Sequence, residues 1–104
     1  MTTSVTNLYP KPTPAATDQR LTVSTTAVPL AALNGGTATE FVFVDVQAAD
    51  VYVTFDGSAP VATTNGHLFT SGYRAFWSRQ QATAAKFIRA AATDAVIHAS
   101  EFTS

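Results

Sequence analysis

A chain of 104 residues holds one ordinary hydrophobic core and has no room for two. Leu, Ile, Val and Phe supply 24 of those residues, above the roughly 20% below which disorder is the better expectation. Charged residues make up 12% and the net charge is −1, against a usual charged share of roughly 25%. That balance excludes the basic excess of a nucleic-acid binder and argues against a free-standing, highly soluble monomer. With no cysteine, disulfides, thiol catalysis and cysteine-ligated zinc or iron–sulfur sites are also excluded.

Residues 1–18 differ in composition from the rest. They hold five Thr and three Pro, with Pro10, Pro12 and Pro14 at alternate positions. Such a segment cannot propagate a helix and favours an extended, polyproline-like backbone. Leu8 and Tyr9 are apolar in this polar setting. The expectation is an N-terminal arm over 1–18 that orders on a neighbouring subunit, anchored by Leu8, Tyr9, Pro10, Pro12 and Pro14. The N-terminus has no basic region followed by an apolar run of signal-peptide length. The longest apolar stretch, Phe41–Val44, is far short of a membrane span. Assembly in a reducing compartment, with no membrane partner, is therefore expected.

From Gln19 to Ser104 the pattern is β and reads as one domain. Val, Ile and Thr total 29 residues, the types that suit a pleated, half-buried surface. Leu21, Val23 and Thr25 alternate with Arg20, Thr22 and Ser24, the mark of a strand with one buried face. Val28–Leu33 reads as a second strand whose Pro29 belongs at an edge, and Asn34-Gly35-Gly36 reads as a turn. Phe41 and Phe43 face one way and Val42, Val44 and Val46 the other. This strand is expected to be covered on both faces, or to meet a partner on one. Val51, Val53 and Phe55 continue the alternation after Gln47–Asp50, which predicts a hairpin. Asn65-Gly66 predicts another. Tyr73–Trp77 is a short strand. Lys86–Ala90 and Val96–Phe102 are expected to close the domain as a hairpin. For residues 84–92 a helical stripe of Ala84, Phe87, Ile88, Ala91 and Ala92 competes with this strand reading, and the strand is preferred because the last strand needs a partner. About eight short strands separated by turns indicate an antiparallel β-sandwich or a small jelly-roll-like barrel.

Candidate chemistry is sparse. No Ser stands in a Gly-x-Ser-x-Gly elbow. His67 and His98 lack the spacing of a metal pair. Asp45, Asp50 and Asp56 flank one predicted hairpin, where aspartates also act as turn caps. Arg74, Arg79, Lys86 and Arg89 are interleaved with aromatic residues but do not give the chain a net positive charge. Tyr73, Phe76 and Trp77 are the one set suggesting a stacking platform for sugar rings, against their simpler role as core aromatics. Neither a catalytic residue nor a cofactor is assigned. Low charge and a strand apolar on both faces point instead to a surface buried in an assembly.

Two stretches carry a resemblance. Ala49–Gly72 contains Val-Tyr-Val-Thr-Phe-Asp-Gly-Ser-Ala-Pro followed by Asn-Gly and a Gly, and the C-terminal part runs Ala85-Lys86-Phe87-Ile88-Arg89-Ala90 to Val96–Phe102 with a Glu-Phe ending. Together they cover about half of the chain and are similar to small virion structural proteins of tailed bacteriophages. The resemblance implies a non-enzymatic capsid decoration, or cement, protein that binds major capsid subunits. A head or tail attachment protein is the neighbouring possibility. It implies localisation at the capsid surface after assembly in the host bacterial cytoplasm, and a homo-oligomer, dimer or trimer. The expected contact surface is the arm together with Phe41, Val42, Phe43 and Val44. A carbohydrate- or receptor-binding sandwich is the competing expectation.

Overall fold

A computed structural model describes residues 13–103. It contains nine strands in two antiparallel sheets, stacked as an open sandwich. The β-sandwich expectation holds, and the barrel alternative does not, because the sheets do not close on one another.

The first sheet is organised around its longest strand, β9 (Ala95–Thr103). Along one edge of β9 lie β1 (Thr13–Pro14) and β2 (Gln19–Val23), end to end. On its other edge lies β4 (Phe41–Gln47), followed by β7 (Arg74–Ser78). In the second sheet the order is β3 (Val28–Pro29), β8 (Lys86–Arg89), β5 (Val51–Thr54) and β6 (His67–Phe69). Pro29 sits on the edge strand β3, as its missing donor requires. A 3-10 turn, Gly36–Ala38, and one short helix, α1 (Arg79–Ala84), complete the described elements.

The core lies between the sheets and is filled by strand alternation. Val42, Val44 and Val46 of β4 point inward with Ile97 and Ala99 of β9, and face Val51, Val53 and Phe87 of the second sheet. Trp77, 2% exposed, stacks on Phe87 with ring centroids 6.1 Å apart. Its indole N–H donates to the Tyr73 hydroxyl at 3.1 Å, so its polar group is satisfied although buried.

Three expected hairpins are corrected. β4 and β5 are consecutive but belong to different sheets. The link between them uses Ala48 in a left-handed conformation, φ 72°. Both strands bury their valines against the same core, so two apolar faces meet more completely across the sandwich than side by side. β8 and β9 are likewise split between sheets. The Asn65-Gly66 turn does not join two strands of its own: Val61 and Asn65 form an isolated bridge, and β6 pairs with β5. There the Asn65 amide donates to the Ser58 hydroxyl and the Ala59 carbonyl, which ties the loop to itself. Val28–Leu33 shortens to a two-residue strand.

Residues 86–89 are a strand, as preferred, but α1 immediately precedes it. The Ser78 hydroxyl accepts from the Gln81 N–H at 3.1 Å and caps the helix. Residues 13–15, grouped with the arm by composition, run along β9: Thr13 pairs with Thr103, and the Ala15 N–H donates to the Glu101 carbonyl at 2.9 Å.

Candidate protein-binding surface

Alternation along three adjacent strands builds an apolar outer face on the first sheet. In β4, Phe41 and Phe43 point away from the core; in β7, Phe76 does; in β9, Phe102 does. Register then brings them together. Phe43 lies directly opposite Phe76, and Phe41 opposite Phe102. The Phe43 and Phe76 ring centroids are 4.9 Å apart, and those of Phe76 and Phe102 5.7 Å. Phe76 is 54% exposed, an unusual position for a phenylalanine outside any contact.

The same face becomes polar toward its other end. Asp45 faces both Arg74 and His98 by register. The Gln47 amide donates to Asp45 and its carbonyl accepts from Arg20. Arg74 approaches Asp45 at 3.4 Å, and His98 meets Asp18 at 2.9 Å. The hydrogen bond from Gln47, then the nearby Arg74, hold the Asp45 carboxyl below its ordinary value. The bond with His98 does the same for Asp18. An apolar patch bordered by polar groups is the usual anatomy of a protein contact.

The expected contact residues divide accordingly. Phe41 and Phe43 are on this face. Val42 and Val44 are fully buried and belong to the core, so their place in a surface contact is corrected. Pro14 is exposed in β1. Leu8, Tyr9, Pro10 and Pro12 lie outside the described residues. Phe76 and Phe102 complete the surface.

The sugar-stacking set does not form one surface. Trp77 faces the core and Phe76 faces away from it, as neighbours in a strand must. Tyr73 stacks on Phe69 at 4.2 Å and accepts from Trp77. An open cleft of about 400 Å³ lies elsewhere, lined by Phe55, Asp56, Asn65 and His67 among others. Within it Asp56 already accepts from the Ser58 hydroxyl and N–H, the bonds that lower its pKa.

The four basic residues do not assemble into a patch. Arg74 is with Asp45, Arg89 with Asp94 at 2.7 Å, Lys86 donates to the Gly57 carbonyl, and Arg79 to the Thr37 and Thr39 carbonyls. Asp45, Asp50 and Asp56 also stay apart: Asp50 accepts from the Ser71 N–H. Among the described residues no group of three metal-capable side chains occurs, and no helix is long and apolar enough to cross a membrane.

Glu101 was not singled out by sequence, yet it is the most distinctive polar group. It is 1% exposed, beneath the Asn34–Thr39 turn. Its carboxylate accepts from the Asn34 N–H at 2.8 Å, the Gly35 N–H at 2.8 Å and the Thr39 hydroxyl at 2.7 Å. A Cβ on Gly35 would stand 2.5 Å from the Thr39 Oγ1, so only glycine fits there. This is an internal strut between the last strand and a loop.

Comparison with family models finds no match, and comparisons with curated proteins and with solved structures find none either.

Proposed function

We propose that this protein is a non-enzymatic structural component of a tailed-phage virion, a decoration protein that binds major capsid subunits through the outer face of its first sheet. The carrying observation is the cluster of Phe41, Phe43, Phe76 and Phe102, aligned by register on three strands and left uncovered at Phe76. Burying such rings against a partner contributes roughly 25 cal/mol per Å² of apolar area. Many equivalent copies on a symmetric shell multiply a modest single contact. The sequence resemblance over Ala49–Gly72 and the C-terminal strands supplies the choice of partner. The body suits the role: a small rigid sandwich with its polar groups tied internally.

The test is mass spectrometry of density-purified virions produced from the genome that encodes this chain. The proposal expects the protein in amounts comparable to the major capsid protein. Only a few copies per particle would instead support a head or tail attachment position. Absence from the particle would overturn the reading.

A further inference from the structure

The end of β5 and the start of β6, on the second sheet, frame the open cleft of about 400 Å³ lined by Phe55, Asp56, Asn65, Gly66 and His67 among others. Its hydrogen bonds consume donors and leave acceptors. Asp56 accepts from the Ser58 hydroxyl and from the Ser58 N–H at 3.0 Å, and both bonds end on Oδ1. The Ser58 hydroxyl oxygen in turn accepts from the Asn65 amide nitrogen at 3.3 Å, and that nitrogen also donates to the Ala59 carbonyl at 3.2 Å. A side-chain amide has two N–H donors, so those of Asn65 are both spent. The side-chain groups left over are the Asp56 Oδ2 and the Asn65 Oδ1. Both side chains converge on one hydroxyl, which holds the two acceptors in a fixed relation.

The charge on Asp56 is not answered within the chain. Hydrogen bonds from Ser58 hold its carboxyl below the ordinary value, so it is ionised at neutral pH. Among the described residues the ion pairs lie elsewhere, at Asp18, Asp45 and Asp94. Lys86, the cation that reaches this loop, donates to the Gly57 carbonyl instead. The loop is also pinned in place. The Thr54 hydroxyl donates to the Ser58 carbonyl, and Val61 and Asn65 form a bridge. Gly66 lies so close to β5 that a Cβ there would stand 3.2 Å from the Val53 backbone N and O.

The remaining wall is aromatic. Phe55 stands edge-on to the buried Trp77, with centroids 5.1 Å apart and planes at 80°. Its ring lies 6.2 Å from that of the exposed His67. An aromatic ring beside a carboxylate and a second, neutral acceptor selects a flat cation that only donates. Guanidinium is such a group: planar, always charged, and able to stack on a ring while its N–H groups donate in the plane. An ammonium is compact and strongly hydrated, and uses the ring less well. A sugar needs donors as well as acceptors for its hydroxyls, and those of Asn65 are spent. Sites for free small molecules enclose most of their ligand, whereas an open cleft suits a side chain delivered by a larger body.

We propose that this cleft binds an arginine side chain of a partner protein, its guanidinium stacked on Phe55 and donating to the Asp56 Oδ2 and the Asn65 Oδ1. The site is on the second sheet and not on the phenylalanine face, so the inference does not depend on the capsid reading.

NMR titration of the isotope-labelled full chain with N-acetylarginine methylamide tests it. Saturable shifts centred on the amides of residues 55–58 and 65–67 are expected, half complete at about 1–10 mM because the pair is exposed. The lysine analogue should bind at least about threefold more weakly, and the neutral citrulline analogue should not saturate. Asp56→Asn keeps the shape and cancels the charge, and should weaken binding by at least about fivefold. Phe55→Leu should weaken it by about threefold, and Asp94→Asn, outside the cleft, should leave it unchanged. The dispersion of each spectrum shows that the variant is folded. Equal binding of the arginine and lysine analogues, unsaturated shifts spread over the surface, or equal effects of Asp56→Asn and Asp94→Asn would each overturn the proposal. Free arginine binding at least about tenfold more tightly than the blocked form would overturn the assignment to a partner's side chain and make the cleft a small-molecule site.

Discussion

Replacing Glu101 tests how the last strand holds the Asn34–Thr39 turn. The carboxylate accepts three hydrogen bonds in a site closed to water. Glu101→Gln keeps the shape but turns one oxygen into an NH2 group. Oriented to keep the Thr39 hydroxyl and Gly35 N–H on its remaining oxygen, the amide presents its donors to the Asn34 N–H. One charge-assisted bond is lost and a buried backbone donor is left without an acceptor. A hydrogen bond to a charged group is worth about 1.5–3 kcal/mol, so the expected cost is about 3 kcal/mol. Glu101→Ala removes all three bonds and should cost about 4–5 kcal/mol, in the range reserved for broken buried networks. A domain's whole stability is about 5–15 kcal/mol, so this variant should be near the edge of folding. Thr39→Val should cost about 1.5 kcal/mol, less than additively with Glu101→Gln because both act on one network. Urea unfolding followed by the single, buried Trp77 reads each value. A cost below about 1 kcal/mol for Glu101→Gln, or strict additivity with Thr39→Val, would refute the strut.

Other predictions follow from different parts of the molecule. Gly35→Ala should destabilise by about 2 kcal/mol or more, since the new methyl meets the Thr39 hydroxyl at 2.5 Å; denaturant titration measures it, and an unchanged midpoint would contradict the geometry. Trp77→Ala should cost about 3–5 kcal/mol, whereas Phe76→Ser, on the face of β7 turned away from the core, should stay within about 1 kcal/mol. The Asp18, Asp45, Asp56 and Asp94 carboxyls are all held below their ordinary value of 3.8, chiefly by bonds from His98, Gln47, Ser58 and Ser24 respectively. The folded state therefore binds fewer protons than the unfolded one. Their small, solvent-screened contribution is complete above that value and is lost as pH falls below it. Melting temperature should accordingly fall as pH drops from 5 toward 3, and a rise over that window would contradict the assignment.

Strand content was legible because alternation is a local signal, written in Val42, Val44 and Val46 against Phe41 and Phe43. Sheet membership was not. Nothing local tells β5 to cross to the other sheet rather than fold back on β4; that choice belongs to the shared core. The helix α1 did leave a trace, Ser78-Arg79-Gln80-Gln81, a capping sequence too short to weigh against the strand signals around it. Glu101 was also foreshadowed by parity, since it stands in step with the inward Ile97 and Ala99. A carboxylate at an inward position reads as an error until the Asn34–Gly35 donors are seen above it. For the binding face, sequence found Phe41 and Phe43 but attached Val42 and Val44, treating a run as a surface where the strand shows two faces. Phe76 and Phe102 join them only through register across β4.

The central claim is that the phenylalanine face binds the capsid shell. Cosedimentation of purified protein with undecorated heads of the phage to which the proposal assigns it tests it most directly, comparing the wild type with a folded Phe43→Ser/Phe76→Ser variant. The account predicts saturable wild-type binding and a loss of at least about tenfold in affinity for the variant; equal binding by both proteins, or none by the wild type, would contradict it.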